Sequence, residues 1–198
     1  MIGIIILSGG QGRRMGGQDK GWCCYRETTY IEAVLNQLQS QIACEPALAF
    51  KLFISANRNI TDYKELGYEV ICDERADFCG PLSGIESVIR FHQETDSNQE
   101  INRWLTYPVD SPEVPDRYIA LMLNLEPSQI GYLEQDGRKH FAHLSIPSSQ
   151  QSLISEQLDC GQRAIKGWLA KSGLSCSVML NPQSHAVLNL NEETAVSA

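Results

Sequence analysis

Between positions 7 and 21 the chain reads Leu-Ser-Gly-Gly-Gln-Gly-Arg-Arg-Met-Gly-Gly-Gln-Asp-Lys-Gly. Glycines at 9, 10, 12, 16 and 17 leave the backbone bare, while Arg13, Arg14 and Lys20 stand beside it. Exposed N–H groups next to fixed cations make a cradle for phosphates. Further along come Asn57, Asp73, the turn Gly80-Pro81-Leu82-Ser83-Gly84, and Asp110 before Ser111-Pro112. A carboxamide offers a donor and an acceptor together, as recognition of a base or ribose requires. A carboxylate can accept from a nucleoside or hold Mg²⁺ with triphosphate oxygens and water. The chemistry these residue types suit is displacement at a phosphorus of a nucleotide. There a protein positions two phosphates and neutralises growing charge.

Two familiar glycine motifs do not account for the loop. A Walker loop would place Ser or Thr after its lysine, and here Gly21 follows Lys20. A dinucleotide fingerprint would need a third small residue at position 15, which is Met15.

Ile5-Ile-Leu-Ser-Gly-Gly-Gln-Gly-Arg-Arg-Met15 resembles the signature loop of the sugar-nucleotide and cofactor nucleotidyltransferases. The continuation Gly16-Gly17-Gln18-Asp19-Lys20-Gly21 is similar to that of the molybdenum cofactor guanylyltransferases. The resemblance implies transfer of GMP from Mg·GTP to the phosphate of molybdopterin or its molybdenum form, with release of pyrophosphate. It implies Arg14, Lys20 and Asp110 as catalytic residues, with Asp110 the Mg²⁺ ligand. Nucleotide binding would fall to Leu7, Ser8, Gly9, Gly10, Gly12, Lys20, Asn57, Asp73, Gly80 and Asp110. Asn189 and Asn191 resemble a late motif on the pterin side, and equally suit a strand end with a helix cap. Asp19 is read either as orienting Lys20 or as capping the turn. The chain departs from the family at His140-Phe141-Ala142-His143, where His-Pro is expected, and neither histidine is read as a catalyst. Molybdoenzymes or their chaperones would be the implied protein partners. Two rival readings stay open: transfer of CMP to the same pterin, or of another nucleotide to a different acceptor such as a sugar, and a GTP-binding regulatory protein without turnover.

These residues need elements that bring them to one edge. Ile2–Leu7 is a short β-branched run that reads as a buried strand. Thr29 caps a predicted helix through about Gln41, with Ile31, Val34, Leu35 and Leu38 as its apolar stripe. Strands follow over 52–56 and 69–72, separated by a short helix over 61–66. A helix from Gly80 carries Leu82, Ile85, Val88 and Ile89, and a fourth strand covers 104–108. Such alternation predicts an α/β fold with right-handed crossovers, in which ligands bind beyond the carboxyl ends of the strands. Beyond that, helices are expected over 117–125, 152–158 and 163–171. A hairpin of 129–134 with 141–145 turns around Asp136-Gly137, and a last strand covers 186–190. The expected architecture is a single-domain, three-layer Rossmann-like nucleotidyltransferase fold, its sheet mostly parallel with an antiparallel edge. Residues 1–115 would form the nucleotide half and 116–198 the acceptor half.

Composition is permissive. The formal net charge of −8 argues against a surface that coats nucleic acid, but not against a nucleotide held by a local cluster of cations. No apolar run is long enough to span a membrane, and no secretory leader is expected at the start. Seven cysteines at 23, 24, 44, 72, 79, 160 and 176 form no Cys-x-x-Cys pair. They are expected to be buried reduced thiols in a cytoplasmic protein.

Overall fold

The computed structural model of the protein describes residues 1–9, 18–75 and 80–180. In chain order the strands are β1 (Ile2–Leu7), β2 (Cys24–Tyr25), β3 (Thr28–Thr29), β4 (Phe50–Ser55), β5 (Glu69–Ile71), β6 (Arg103–Pro108), β7 (Ile130–Gln135), β8 (Arg138–Pro147) and β9 (Ser175–Met179). The helices are α1 (Tyr30–Ile42), α2 (Ile60–Glu65), α3 (Pro81–Thr95), α4 (Tyr118–Leu123), α5 (Ser152–Asp159) and α6 (Ile165–Ser172). Strands β2 and β3 form a small separate hairpin, and the other seven form one sheet in the order β5-β4-β1-β6-β8-β7-β9.

Strand β1 is buried along its whole length because both of its faces are covered. Ile4 and Ile6 pack towards α1 and α4, with Ile31, Val34, Leu38, Ile119 and Met122. Ile5 and Leu7 face α3, α5 and α6, with Leu82, Ile85, Val88, Ile154 and Trp168. A strand sandwiched between helices reads as a continuous apolar run, which is why Ile2–Leu7 shows no alternation. The result is three layers. Helix α1 starts where expected: Thr29 Oγ1 accepts from the Glu32 amide, and the Glu32 carboxylate accepts from the Thr29 amide.

Strands β5, β4, β1 and β6 are parallel. The chain leaves β1 towards β4 and β5, then crosses back through α3 to place β6 on the other side of β1. Right-handed crossovers running in opposite directions put α1 and α3 on opposite faces. They also open a crevice where β1 and β6 diverge, the topological switch point at which such sheets bind ligands.

The second half differs in detail from expectation. The reversed strand is β8, antiparallel to both β6 and β7, so it lies inside the sheet and not at its edge. The edge is taken by β9, parallel to β7, which the sequence reading had not marked as a strand. Its residues Ser-Cys-Ser-Val-Met carry little apolar periodicity. Hairpin β7–β8 turns at Asp136 and Gly137, whose φ values of 50° and 75° are those of a type I′ turn. Strand β8 runs for ten residues, twice the span expected from its apolar core. The thiols also depart from expectation: none of the six described cysteines is buried, and Cys24, Cys44, Cys72 and Cys160 are exposed. Most sit at turns or at the ends of elements; Cys176 lies within β9, and Cys23 packs partly buried against the core. The expected strand over 186–190 lies outside the described residues.

Candidate active site

A cleft of about 360 Å³ opens at the switch point. One wall is Leu7-Ser8-Gly9 with Lys20 and Arg58, and its back is Pro108 to Ser111 at the end of β6. The opposite wall is Arg138 to His143 of β8. Among these lining residues Lys20, Arg58, Arg138 and Lys139 are cationic and Asp110 is the one carboxylate. A cationic cleft in a chain of net charge −8 opposes the global field and suits an anionic ligand.

At its centre the Lys20 ammonium donates to Asp110 Oδ2 at 2.9 Å, joining the loop after β1 to the end of β6. Both side chains are partly exposed, so the pair is accessible from the cleft. Lys20 is placed by its neighbours. Asp19 is buried and caps the short 3₁₀ turn Lys20–Trp22, its carboxylate accepting from the Gly21 amide at 3.1 Å. The same carboxylate accepts from the Tyr63 hydroxyl at 2.8 Å and from Asn59 Nδ2 at 3.1 Å. Tyr63 also bonds the Ser8 hydroxyl, tying this turn to the end of β1. Burial pushes the Tyr63 phenol well above its ordinary pKa, the Asp19 bond adding to the shift, so it stays a donor. Gly21 is required by contact: a Cβ there would run into the Tyr63 hydroxyl. Asp19 therefore caps the turn that carries Lys20.

Asp110 is held with equal care from behind. The Tyr107 hydroxyl donates to the carbonyls of Ser111 and Glu113. Helix α1 grips the following loop with two glutamines. Gln37 donates to the Pro112 carbonyl and accepts from the Val114 amide. Gln41 does the same one turn on, with the Pro115 carbonyl and the Ile119 amide. Backbone groups that no strand or helix would pair are satisfied in this way, and the loop is fixed. Neither glutamine was singled out from the sequence, because a polar position on an amphipathic helix looks like solvent-facing surface.

Asn57, Asp73 and Gly80 form a shelf beside the cleft and do not line it. Asn57 Oδ1 accepts from the Asp73 amide at 2.8 Å, and Asn57 Nδ2 lies 3.5 Å from where a Cβ on Gly9 would be. Burial raises the Asp73 carboxyl above its ordinary range, opposed by its hydrogen bond with Asn57. Asp73 lies against the first turn of α3, where a Cβ on Gly84 would strike the Ser55 hydroxyl and approach Asp73 Oδ1. Gly80, with φ of 75°, turns the chain into Pro81, which does line the cleft. Gly10, Gly12, Arg14, Asn189 and Asn191 lie outside the described residues, as does Arg13.

The β8 wall was not foreseen. Leu133 pairs with His140 and Tyr132 with Leu144, so Phe141, Ala142 and His143 bulge from the ladder. Thr106 of β6 makes this possible: its hydroxyl donates to the Ala142 carbonyl at 2.7 Å and accepts from the Leu144 amide at 2.9 Å. His143 is buried against Tyr107 and Tyr118 with its Nδ1 unpartnered among the described residues. Burial lowers its pKa to about 3, with His140 adding to the effect. It is a neutral imidazole at any ordinary pH, in keeping with a structural role. His140 is half-buried, its pKa lowered first by burial and then by Arg138.

No three His, Cys, Asp or Glu side chains gather as a metal cage among the described residues. A divalent ion at Asp110 would have one protein carboxylate and take its other ligands from phosphates and water. That arrangement suits Mg²⁺, and the ammonium already seated on Oδ2 shows that this carboxylate can hold a cation.

The description of the MobA-like NTP transferase domain matches residues 4–174. A molybdenum cofactor guanylyltransferase of Shewanella halifaxensis is 29% identical over 193 residues, covering 96% of this chain and 89% of that protein. Another, of Haemophilus influenzae, is 32% identical over 176 residues, covering 87% and 84%. Among solved structures, molybdopterin-guanine dinucleotide biosynthesis protein A of Archaeoglobus fulgidus superposes with a TM-score of 0.64 at 18% identity, covering 92% of this chain and 84% of that one. A CMP:2-keto-3-deoxy-manno-octonic acid synthetase reaches 0.62 at 11%, covering 96% and 92%, a likeness of fold alone. With a match over most of its length, and a cleft in which Lys20 meets the acidic end of β6, the chain belongs to the MobA-like NTP transferase family and is a nucleotidyltransferase.

Proposed function

We propose that the protein transfers GMP from Mg·GTP to the phosphate of molybdopterin or the molybdenum cofactor, giving a guanine dinucleotide cofactor and pyrophosphate. An oxygen of the acceptor phosphate attacks the α-phosphorus of GTP. The new P–O bond forms as the bond to the β-phosphate oxygen breaks, and pyrophosphate leaves with that electron pair. The observation that carries this reading is the Lys20–Asp110 pair across the switch point, in a cleft whose other charged lining residues are Arg58, Arg138 and Lys139. Bound Mg²⁺ would screen the phosphates and polarise the reacting phosphorus. For that, Asp110 would exchange its bond to Lys20 for one to the metal, and the freed Lys20 would meet the triphosphate.

The rest of the site divides the labour. Gly9 would bring bare backbone to the phosphates, and the Asn57–Asp73 shelf lies where a nucleoside would rest beyond it. Asn57 Nδ2 and the Asp73 carboxyl are a donor and an acceptor for a base or ribose. The described cysteines carry no disulfide, which suits a reducing cytoplasm. No helix of the described residues is long and apolar enough to cross a membrane.

The test is pyrophosphate release with Mg²⁺ and each nucleoside triphosphate in turn, with and without molybdopterin. Release confined to GTP plus molybdopterin is the expected result. Release with CTP instead would overturn the nucleotide assignment. Tight GTP binding without release under either condition would overturn catalysis.

A further inference from the structure

The segment that follows β5 is fastened at three consecutive residues. Asp73 gives its amide to Asn57 Oδ1 at 2.8 Å. Glu74 gives its amide to the Ser87 hydroxyl at 2.9 Å, and its carboxylate meets Arg90 at 3.2 Å. Arg75 grips Glu86 with two hydrogen bonds, Nε to Oε2 at 2.5 Å and Nη2 to Oε1 at 2.7 Å. Its remaining nitrogen, Nη1, meets Asp159 Oδ1 at the end of α5, 2.8 Å away. Glu86 is buried on α3. Arg75 holds its carboxyl below the ordinary range against the effect of burial, with Ser155 adding a further hydrogen bond. A buried ion pair adds little net stability, since desolvation offsets the attraction, and an apolar pair of similar volume often serves a core as well. What a two-pronged guanidinium–carboxylate contact does supply is geometry, a fixed distance and a fixed orientation.

We propose that Arg75 and Glu86 are positioning residues for the shelf: by clasping the segment to α3 they hold Asp73 where the nucleoside of the substrate rests. The inference depends on the nucleotidyl-transfer reading above, in which the shelf meets the nucleoside while Gly9 and Lys20 meet the phosphates. Asp73 has no regular element of its own, standing between the end of β5 at Ile71 and the start of α3 at Pro81. Asn57 ties it from the side of β4, and Glu74 and Arg75 tie the chain just after it to α3. Neither Arg75 nor Glu86 lines the cleft, so the pair acts through Asp73. Asp159 is mostly exposed and is the lesser member of the clasp. Without the pair the segment would keep its two backbone hydrogen bonds but lose the contact that fixes its distance from α3. The shelf would then be in place for only part of the time, and apparent affinity falls in proportion to that fraction.

The test is equilibrium titration of the full chain, with Mg²⁺, against GTP and against inorganic tripolyphosphate, which has the phosphates and lacks the nucleoside. Removing Arg75 alone would strand a buried carboxylate, so the variant is Arg75→Met/Glu86→Met, which removes both charges and keeps the volume. It should bind GTP about tenfold more weakly, the loss expected when the shelf is formed for about a tenth of the time, and tripolyphosphate as wild type does. Unchanged GTP affinity would overturn the assignment. So would equal losses for the two ligands, which would make the pair a general support of the fold. In an Asp73→Ala background the same double substitution should cost no further GTP affinity, and additive losses would mean that the pair does not act through Asp73. Arg75→Lys leaves no charge unpaired and keeps the fold, but it has one prong. It should lose GTP affinity in the same direction, and wild-type affinity there would refute the need for a fixed orientation. The ligand-free protein gives a separate readout: the Asp73 and Glu74 amides should exchange with solvent faster in the double variant, and unchanged exchange would refute the clasp. Failure of wild type to bind GTP refutes nucleotidyl transfer instead, and amide exchange then decides on the clasp alone.

Discussion

His143 gives a prediction whose magnitude follows from its surroundings. Its imidazole is enclosed by Tyr107 and Tyr118, and burial lowers its pKa to about 3. In the unfolded chain a histidine titrates near pH ~6.5. Between those two values the unfolded state holds a proton that the folded state does not, so stability falls as the pH falls. Above pH ~6.5 both states are neutral and the residue contributes no slope. On going from pH ~7 to ~5 the linkage amounts to about 2 kcal/mol. That figure hardly depends on the folded value so long as it stays well below 5, since the folded imidazole is then neutral throughout. The control is His143→Phe, which keeps an aromatic ring of similar size and cannot titrate. Urea denaturation followed by tryptophan fluorescence at both pH values gives the loss for each protein. Carboxylates titrate alike in the two and cancel. Wild type should lose about 2 kcal/mol more than the variant, and a difference below about 0.5 kcal/mol would refute the claim that folding holds this imidazole neutral.

Other consequences concern the loop and its ion pair. Asp110→Asn keeps the shape and removes the charge that would hold Mg²⁺. Turnover should drop about 10³-fold with an unchanged melting transition, and full activity would remove Asp110 from the chemistry. Lys20→Ala deletes a charge-assisted contact with the triphosphate of about 1.5–3 kcal/mol, visible as weaker GTP binding or slower transfer. Unchanged values of both would reject the role. Gly21→Ala forces a methyl against the Tyr63 hydroxyl and should cost about 1–3 kcal/mol of stability. Adding Tyr63→Phe should return part of that loss, and strictly additive costs in denaturation would refute the steric account.

How far the sequence reached follows from what each residue packs against. Strand β1, helix α1 and the apolar face of α3 were legible because covered faces leave a periodic mark. The family was legible in the motif that runs from the glycines to Lys20, because few other motifs share its spacing. What escaped was set by partners distant in sequence. Gln37 and Gln41 matter only because the loop after Asp110 lies alongside them, some seventy residues away in the chain. Strand β9 is made a strand by its pairing with β7, since its own residues show little preference. The thiols were misjudged because cysteine as a type favours the interior, whereas here most of them sit at turns and element ends.

The break in the resemblance at His140 to His143 has a physical meaning in the fold. Relatives are expected to carry proline after the first histidine, and proline fixes φ and donates no ladder hydrogen bond. This chain interrupts the ladder without a proline. The bulge omits three residues from pairing, and a threonine on the neighbouring strand supplies the missing partners. Thr106→Val should therefore be costly although it preserves shape. The Ala142 carbonyl and Leu144 amide would be left unpaired beside an apolar methyl, at about 1–3 kcal/mol for each buried group. Thr106→Ser retains the hydroxyl and should recover most of the loss. Destabilisation by serine with none by valine in chemical denaturation would mean that the methyl group, and not the hydroxyl, holds the wall in place.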